Sequence, residues 1–241
     1  MMTRLLIMMS LIFTTFCNAQ EYKLKKQKEN KRNGKARYTV IKEQPTVKHG
    51  RYYIKAYGSG CILMDGQYVL NEKTGVWKER YRIESCSLRS QGSYKKDVKV
   101  GTWSYFNHKG DSIQVYDYNT KALKYSHTRS KLKAEGASLF PAEYIRGQIS
   151  LSYSLNNMIS IPSELNTSGT NRFKVDTKVT INITEKGKVK DVTFSEEIGY
   201  GIDENIIEWL KSDTNLWEPA VSDNQTIEGK IVIPIRVSMM F

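Results

Sequence analysis

Between residues 50 and 119 the chain repeats itself in two interleaved registers. The triplets Gly50-Arg-Tyr52, Gly75-Val-Trp77 and Gly101-Thr-Trp103 recur 25 and 26 residues apart, and Gly66-Gln-Tyr68 and Gly92-Ser-Tyr94 each stand nine residues before the next Gly-x-Trp. A fixed period of this length means that one supersecondary unit is stacked several times, because a single unit cannot bury its apolar face alone. Short runs rich in Tyr, Val, Ile and Trp alternate with turn residues such as Asn71-Glu-Lys-Thr-Gly75 and Asn107-His-Lys-Gly110. That is the pattern of hairpins in which glycine takes a positive φ. In one such run Trp77, Tyr81 and Ile83 fall on one strand face and Lys78, Arg80 and Arg82 on the other, so one side packs and the other is wet. The predicted repeat core is therefore Tyr52, Tyr68, Trp77, Tyr94 and Trp103.

These residues resemble bacterial MORN-type repeats, of the kind described as toxin–antitoxin antitoxins; the best-matching unit is Gly92 to Asn119. The resemblance implies a β-meander and leaves function open, since such repeats serve as spacers, lipid-contact surfaces and protein docks.

Past residue 138 the composition changes. Val175, Val179, Ile181 and Ile183 alternate with polar residues, Glu185-Lys-Gly187 turns the chain, and Val189, Val192 and Phe194 resume it. After Gly199 and Gly201, Asp203 is placed to cap a helix that buries Ile206, Ile207 and Leu210, with Ile202 and Ile207 as a hydrophobic staple. A last Ile/Val-rich strand runs from Glu228 to Val237, giving the order β-β-α-β. Ile159-Ser-Ile-Pro162, Ile202-Asp203, Trp217-x-Pro219-Ala and Ile233-Pro-Ile235, with Phe140-Pro141 as lead-in, resemble the C-terminal domain of TonB, in particular its members from Bacteroidetes. That resemblance implies a periplasmic domain that binds extended peptides at a sheet edge. Pro234 removes one ladder donor from the last strand, which places that strand at an edge or makes it bulged. The candidate peptide-binding edge is Lys230, Ile231, Val232, Ile233, Pro234, Ile235 and Arg236, while Trp217 reads as core.

The segments between and before these units are basic. Residues 21–37 hold eight Lys/Arg and little to bury, so residues 20–47 read as a mobile arm, and 126–138 as a flexible linker. Residues 20–138 carry 26 Lys/Arg against 11 Asp/Glu, whereas 139–241 carry 10 against 14, a split that points to two units with different surfaces. Arg4, the apolar run Leu5 to Phe16 and the exit Cys17-Asn-Ala19 form a secretory signal over residues 1–19. The apolar run rises only ~18 Å, short of a ~30 Å hydrocarbon core.

The expected fold class is thus mainly β with α+β: a β-meander over 48–125 and a small β-β-α-β domain over 139–241. Export leaves Cys61 and Cys86, an even pair that invites a disulfide. On equivalent strands of successive hairpins they would sit ~9 to 10 Å apart, beyond bridging distance, so a bridge and two buried thiols both stay open. His49, His108 and His127 form no metal spacing, and no phosphate loop, dinucleotide glycine pattern or nucleophile elbow occurs. No catalytic residue, metal or cofactor is expected, and export argues against nucleic acid as partner. The expected role is binding in the periplasm or at the outer membrane. The partner is an extended segment of an envelope protein, in the manner of an outer-membrane receptor, or alternatively an anionic lipid or lipopolysaccharide surface met by the basic half.

Overall fold

The computed structural model describes residues 21–82, 85–159, 172–212 and 216–240. The expected signal at 1–19, Ile83 and the stretch 160–162 lie outside the described residues.

Nine antiparallel strands pair strictly in sequence order: β1 (Leu24–Lys31), β2 (Gly34–Ile41), β3 (Gln44–Ala56), β4 (Ile62–Val69), β5 (Glu72–Arg80), β6 (Leu88–Lys95), β7 (Val98–Phe106), β8 (Ser112–Asp117) and β9 (Ala122–Ser126). Two-residue turns at Leu70–Asn71 and Lys96–Asp97 have both residues at positive φ (51° and 70°; 50° and 63°). Such turns carry the twist that adjoining strands need. Glu72 to Gly75, expected in the turn, belong instead to β5. Each turn is tied to the preceding hairpin: Asn71 Oδ1 accepts from Lys48 N at 2.7 Å and Asp97 Oδ1 from Lys73 N at 2.9 Å.

The glycines of the Gly-x-Tyr register have a steric cause. A Cβ on Gly66 would overlap the indole of Trp77, and one on Gly92 the indole of Trp103. Each Trp of one hairpin lies flat on the glycine of the strand before it. Trp77 and Trp103 are each 1% exposed, and rings from Tyr38 through Tyr52, Tyr68, Trp77, Tyr94 and Trp103 to Tyr118 form a chain of contacts 5.1–6.2 Å between centroids. Tyr52, Tyr68, Trp77, Tyr94 and Trp103 are all in or packed against this core, as the repeat predicts.

Two expectations about the basic segments are overturned. Residues 24–41 are not a mobile arm but the first hairpin of the sheet, with Lys31 paired to Gly34 across Arg32-Asn33 and with Ala36, Val40 and Ile41 buried. An outermost strand has one partner only, and lysines along it block further pairing, so β1 needs almost nothing apolar. Nor are residues 126–138 a flexible linker. Ser126 caps α1 (His127–Ala134), accepting from Arg129 N at 3.2 Å. Arg129 then clamps the two halves of the chain: its guanidinium reaches Glu143 (3.3 Å) and Glu218 (3.6 Å) and donates to the Pro219 carbonyl at 2.6 Å.

The rest of the chain forms β10 (Leu139–Phe140), β11 (Glu143–Tyr144), α2 (Gln148–Met158), β12 (Arg172–Ile183), β13 (Val189–Phe194), α3 (Ile202–Lys211), β14 (Trp217–Glu218), β15 (Ala220–Ser222), β16 (Gln225–Ile227) and β17 (Gly229–Met240). A second sheet has the order β13-β12-β17. Its inward residues Val175, Val179, Ile181, Ile183, Ile231, Ile233 and Ile235 share one core with Leu151 and Leu155 of α2, Ile206 and Leu210 of α3, and Trp217. Asp203 does not cap α3, whose N-cap is Gly201 at φ 73°. Its buried carboxylate instead accepts from the backbone N–H of Ile198 (3.0 Å) and Gly199 (2.6 Å), fixing the loop that enters the helix.

The two cores meet through a polar seam. Buried Gln114 of β8 donates to Glu143 (2.7 Å) and the Tyr144 carbonyl (3.1 Å) and accepts from Arg146 N at 2.9 Å, while Ile145 is buried in the aromatic core of the first sheet.

Candidate functional site

β17 is an outer strand of its sheet, in unbroken antiparallel register with β12 from Gly229 opposite Ile183 to Met240 opposite Arg172. The inner side of β12 decides which backbone groups of β17 are free. Lys178 of β12 turns both its N–H and its C=O toward β13, the former to Ser195 Oγ (2.9 Å) and the latter to Ser195 N (2.9 Å). Lys178 therefore forms a non-bonded pair with Pro234 opposite it, and the backbone groups of Pro234 point away from β12. By the alternation of the ladder, Lys230, Val232 and Arg236 also point outward, whereas Ile231, Ile233 and Ile235 bond to β12. No register shift occurs at Pro234, so it is accommodated by edge position and not by a bulge.

The seven candidate edge residues thus divide in two. Ile231, Ile233 and Ile235 are 9%, 0% and 0% exposed and serve the core. Lys230, Val232, Pro234 and Arg236 have exposed side chains and outward backbone; Val232 is an exposed β-branched residue on a strand paired on one side only, and Arg236 reaches Asp176 at 3.3 Å. Beside Lys230 and Val232 lies a cavity of about 340 Å³, walled on its far side by Pro141, Glu143, Gln148 and Ile113. The seam between the two sheets therefore opens onto the upstream half of this edge.

In the first sheet the structure exposes a pattern that the glycine and aromatic triplets alone did not reveal. Lys48, Lys73 and Lys99 each stand two residues before Gly50, Gly75 and Gly101, so the repeat is Lys-x-Gly-x-Tyr/Trp. Each ammonium lies over aromatic rings: Lys48 over Tyr38 and Tyr68 (both 5.5 Å), Lys73 over Trp77 (4.8 Å) and Tyr94 (4.9 Å), Lys99 over Trp103 (4.0 Å). Cations above ring faces are attracted by the ring quadrupole. Burial pushes the Tyr68 and Tyr94 hydroxyls up to about 12. The 25- and 26-residue spacing of these lysines was the signal available in the sequence.

Cys61 and Cys86 are bridged, with Cα atoms 5.8 Å apart. The strand-spacing argument for a longer separation fails because neither cysteine is in a strand. Cys61 precedes β4 and Cys86 lies in the β5–β6 connection, so both loops can curl together at one end of the sheet.

Among the described residues no group of three His, Cys, Asp or Glu side chains is placed to hold a metal ion, and no helix is long and apolar enough to cross a membrane. Comparison with protein-family models, curated proteins and solved structures found no significant match.

Proposed function

We propose that this is an exported envelope protein that acts by binding, and that its C-terminal unit, a TonB C-terminal-like β-β-α-β domain, adds an extended segment of another envelope protein to the outward edge of β17. The observation that carries this reading is the pairing parity: Lys230, Val232 and Arg236 offer outward N–H and C=O groups next to an open cavity on an edge that no other described strand covers. Backbone hydrogen bonds give such docking its affinity, and side chains at alternate positions give it selectivity. The secretory signal over residues 1–19 supports the compartment. Enzymatic turnover is not part of this reading.

The test follows from the same parity. A photo-reactive residue at position 232 should crosslink an envelope protein in cells, and Val232→Pro, which deletes one outward N–H without touching the β12 ladder, should weaken the capture by about tenfold. Equal crosslinking from position 30 of β1, or undiminished capture by a folded Val232→Pro protein, would sink the proposal. Capture should also persist between ~0.1 M and ~1 M salt, where an attraction of exposed charges would be screened out.

A further inference from the structure

A second recess lies where α2 crosses the first sheet. It measures about 110 Å³ and is lined by Glu79 of β5, Arg89 and Ser90 of β6, Lys99 of β7, and Arg146, Ser150 and Ser154. That volume is well below the ~300 Å³ of a typical metabolite pocket, so it holds one small group.

Three cations face one carboxylate in this space. Glu79 is already engaged, accepting from Arg89 at 2.8 Å and from Ser90 Oγ at 3.0 Å. Burial works to raise its carboxyl, but Arg89, Lys99 and Ser90 together hold it below the ordinary value. Among the described residues Lys99 donates to two phenol oxygens, Tyr105 at 3.2 Å and Tyr118 at 3.4 Å, and to no carboxylate. The Arg146 guanidinium makes no hydrogen bond or ion pair among the described residues, although its backbone is held by Gln114 and takes a φ of 114°. Ser150 and Ser154 are one turn apart on α2, line the recess, and their hydroxyls also bond to nothing among the described residues.

Guanidinium, ammonium and hydroxyl donors thus converge on a solvent-reached space in which three cations face one carboxylate, an arrangement that an anionic acceptor completes with charge-assisted hydrogen bonds. We propose that this recess binds a single phosphate-type oxyanion, free or as the head of a monoester, held by Arg146, Lys99, Ser150 and Ser154. Arginine's planar fork and hydroxyl donors suit a tetrahedral oxyanion with several acceptor atoms better than they suit a halide. A groove of about 600 Å³ lined by Ile54, Met64, Tyr81, Ile149 and Tyr153 shares Arg89 with the recess. It gives the organic part of a monoester a place to lie. This site stands apart from the β17 edge and does not depend on it.

The test titrates the full-length folded protein with inorganic phosphate, hexyl phosphate and acetate at constant ionic strength, read by phosphorus NMR and calorimetry. Saturable phosphate binding is expected, with acetate at least tenfold weaker. Tighter binding of hexyl phosphate identifies an organic monoester as the natural source, and equal binding identifies free phosphate. Arg146→Gln should weaken phosphate by about tenfold or more, and the Ser150→Ala/Ser154→Ala pair by about fivefold. The serine pair also decides the matter if Arg146→Gln fails to fold.

Binding of hexyl phosphate should be accompanied by proton uptake at about pH 8, where the ligand is already a dianion and releases no proton of its own, measured as a dependence of the calorimetric enthalpy on buffer ionisation. Lys99 is the group that takes the proton. It is depressed to about 7 by burial and by Arg146, with Glu79 opposing and Lys73 and Arg89 adding, while Trp103, Tyr105 and Tyr118 complete its surroundings. The absence of saturable binding to the folded wild-type protein, acetate as tight as phosphate, or unchanged affinity in the serine pair would each overturn the proposal.

Discussion

The two sheets of this protein treat their outer strands in opposite ways. β1 at the margin of the first sheet reads Leu-Lys-Lys-Gln-Lys-Glu-Asn-Lys, a run of charge that repels an approaching strand. β17 at the margin of the second reads Gly-Lys-Ile-Val-Ile-Pro-Ile-Arg-Val and carries exposed Val232 between Lys230 and Pro234, with two charges and one proline along its outward positions where β1 has a run of lysines. Both are antiparallel edges of similar chemistry at the backbone, yet one is guarded by lysines and the other is left able to pair. A less guarded edge is the better substrate for strand addition, and the proposal therefore places docking on the second sheet and not on the first.

The sheets also differ in how their strands find each other. Every strand of the first pairs with its neighbour in sequence, whereas β12 must find β17 with β13, α3 and three short strands between them. Local pairings close small loops at little entropic cost; distant ones close large loops. The first sheet can therefore be held by small repeated devices, namely a glycine under each Trp, a lysine over each ring and an Asn or Asp at the turn. The second depends on a continuous aliphatic core that Val179, Ile181, Ile183, Ile231, Ile233 and Ile235 build together.

The largest effects should come from the residues that each sheet cannot replace. Trp103→Ala should cost ~3–5 kcal/mol, since it empties the space between Gly92 and Tyr94 and breaks the ring chain. Ile233→Pro should unfold the second sheet outright, because its N–H faces β12 and its side chain is fully buried. Chemical denaturation followed by intrinsic fluorescence and circular dichroism measures both. A folded Ile233→Pro protein would show that the pairing parity is reversed, and would move the proposed docking groups to the other set of residues.

An intermediate effect is expected from the bridge between Cys61 and Cys86, which closes 25 residues across the β4–β5 hairpin. Replacing both by serine should lower stability by ~3 kcal/mol, the loop-closure entropy of that span. The loss should fall on the first sheet's unfolding transition. A loss shared equally by the second sheet would mean that the seam of Gln114, Arg129 and Glu143 couples the two into one cooperative unit.

What could be read from the chain beforehand follows the same division. The glycine and aromatic register located β3 to β8 because each repeat reports the same packing, and the alternation in Val175 to Ile183 and Val189 to Phe194 located β12 and β13 because one face is buried. β1 and β2 were missed although Asn33-Gly34 is a hairpin signal, since the flanking lysines carry no alternation at an edge. α1 was missed because none of its residues is buried, and Arg129 acts through groups distant in sequence. The free-donor recess was illegible for the same reason: Lys99, Arg146 and Ser150 meet only when α2 lies across the sheet.

The smallest and most specific effect concerns pH. Lys99 is lowered from 10.5 to about 7, chiefly by burial and next by Arg146, with Glu79 acting against them. Between those two values the unfolded chain holds a proton on this lysine that the folded chain does not, so unfolding takes up a proton and stability rises with pH across that interval. The contribution is present above 10.5 and lost as pH falls through about 7. Lys99→Met keeps an unbranched apolar side chain beside Trp103, gives up the cation–ring attraction and removes the titration. Relative to wild type the variant should gain most stability at about pH 6 and distinctly less, though still some, at about pH 9, which lies inside the interval and below the range in which the raised tyrosines begin to ionise. Denaturation midpoints at the two pH values, each with and without phosphate, measure it. Phosphate should narrow the gap at the lower pH by stabilising the charged lysine. A gap of the same size at both pH values would show that Lys99 stays protonated throughout, and that its place over Trp103 is a packing feature of the repeat, like that of Lys73 over Trp77.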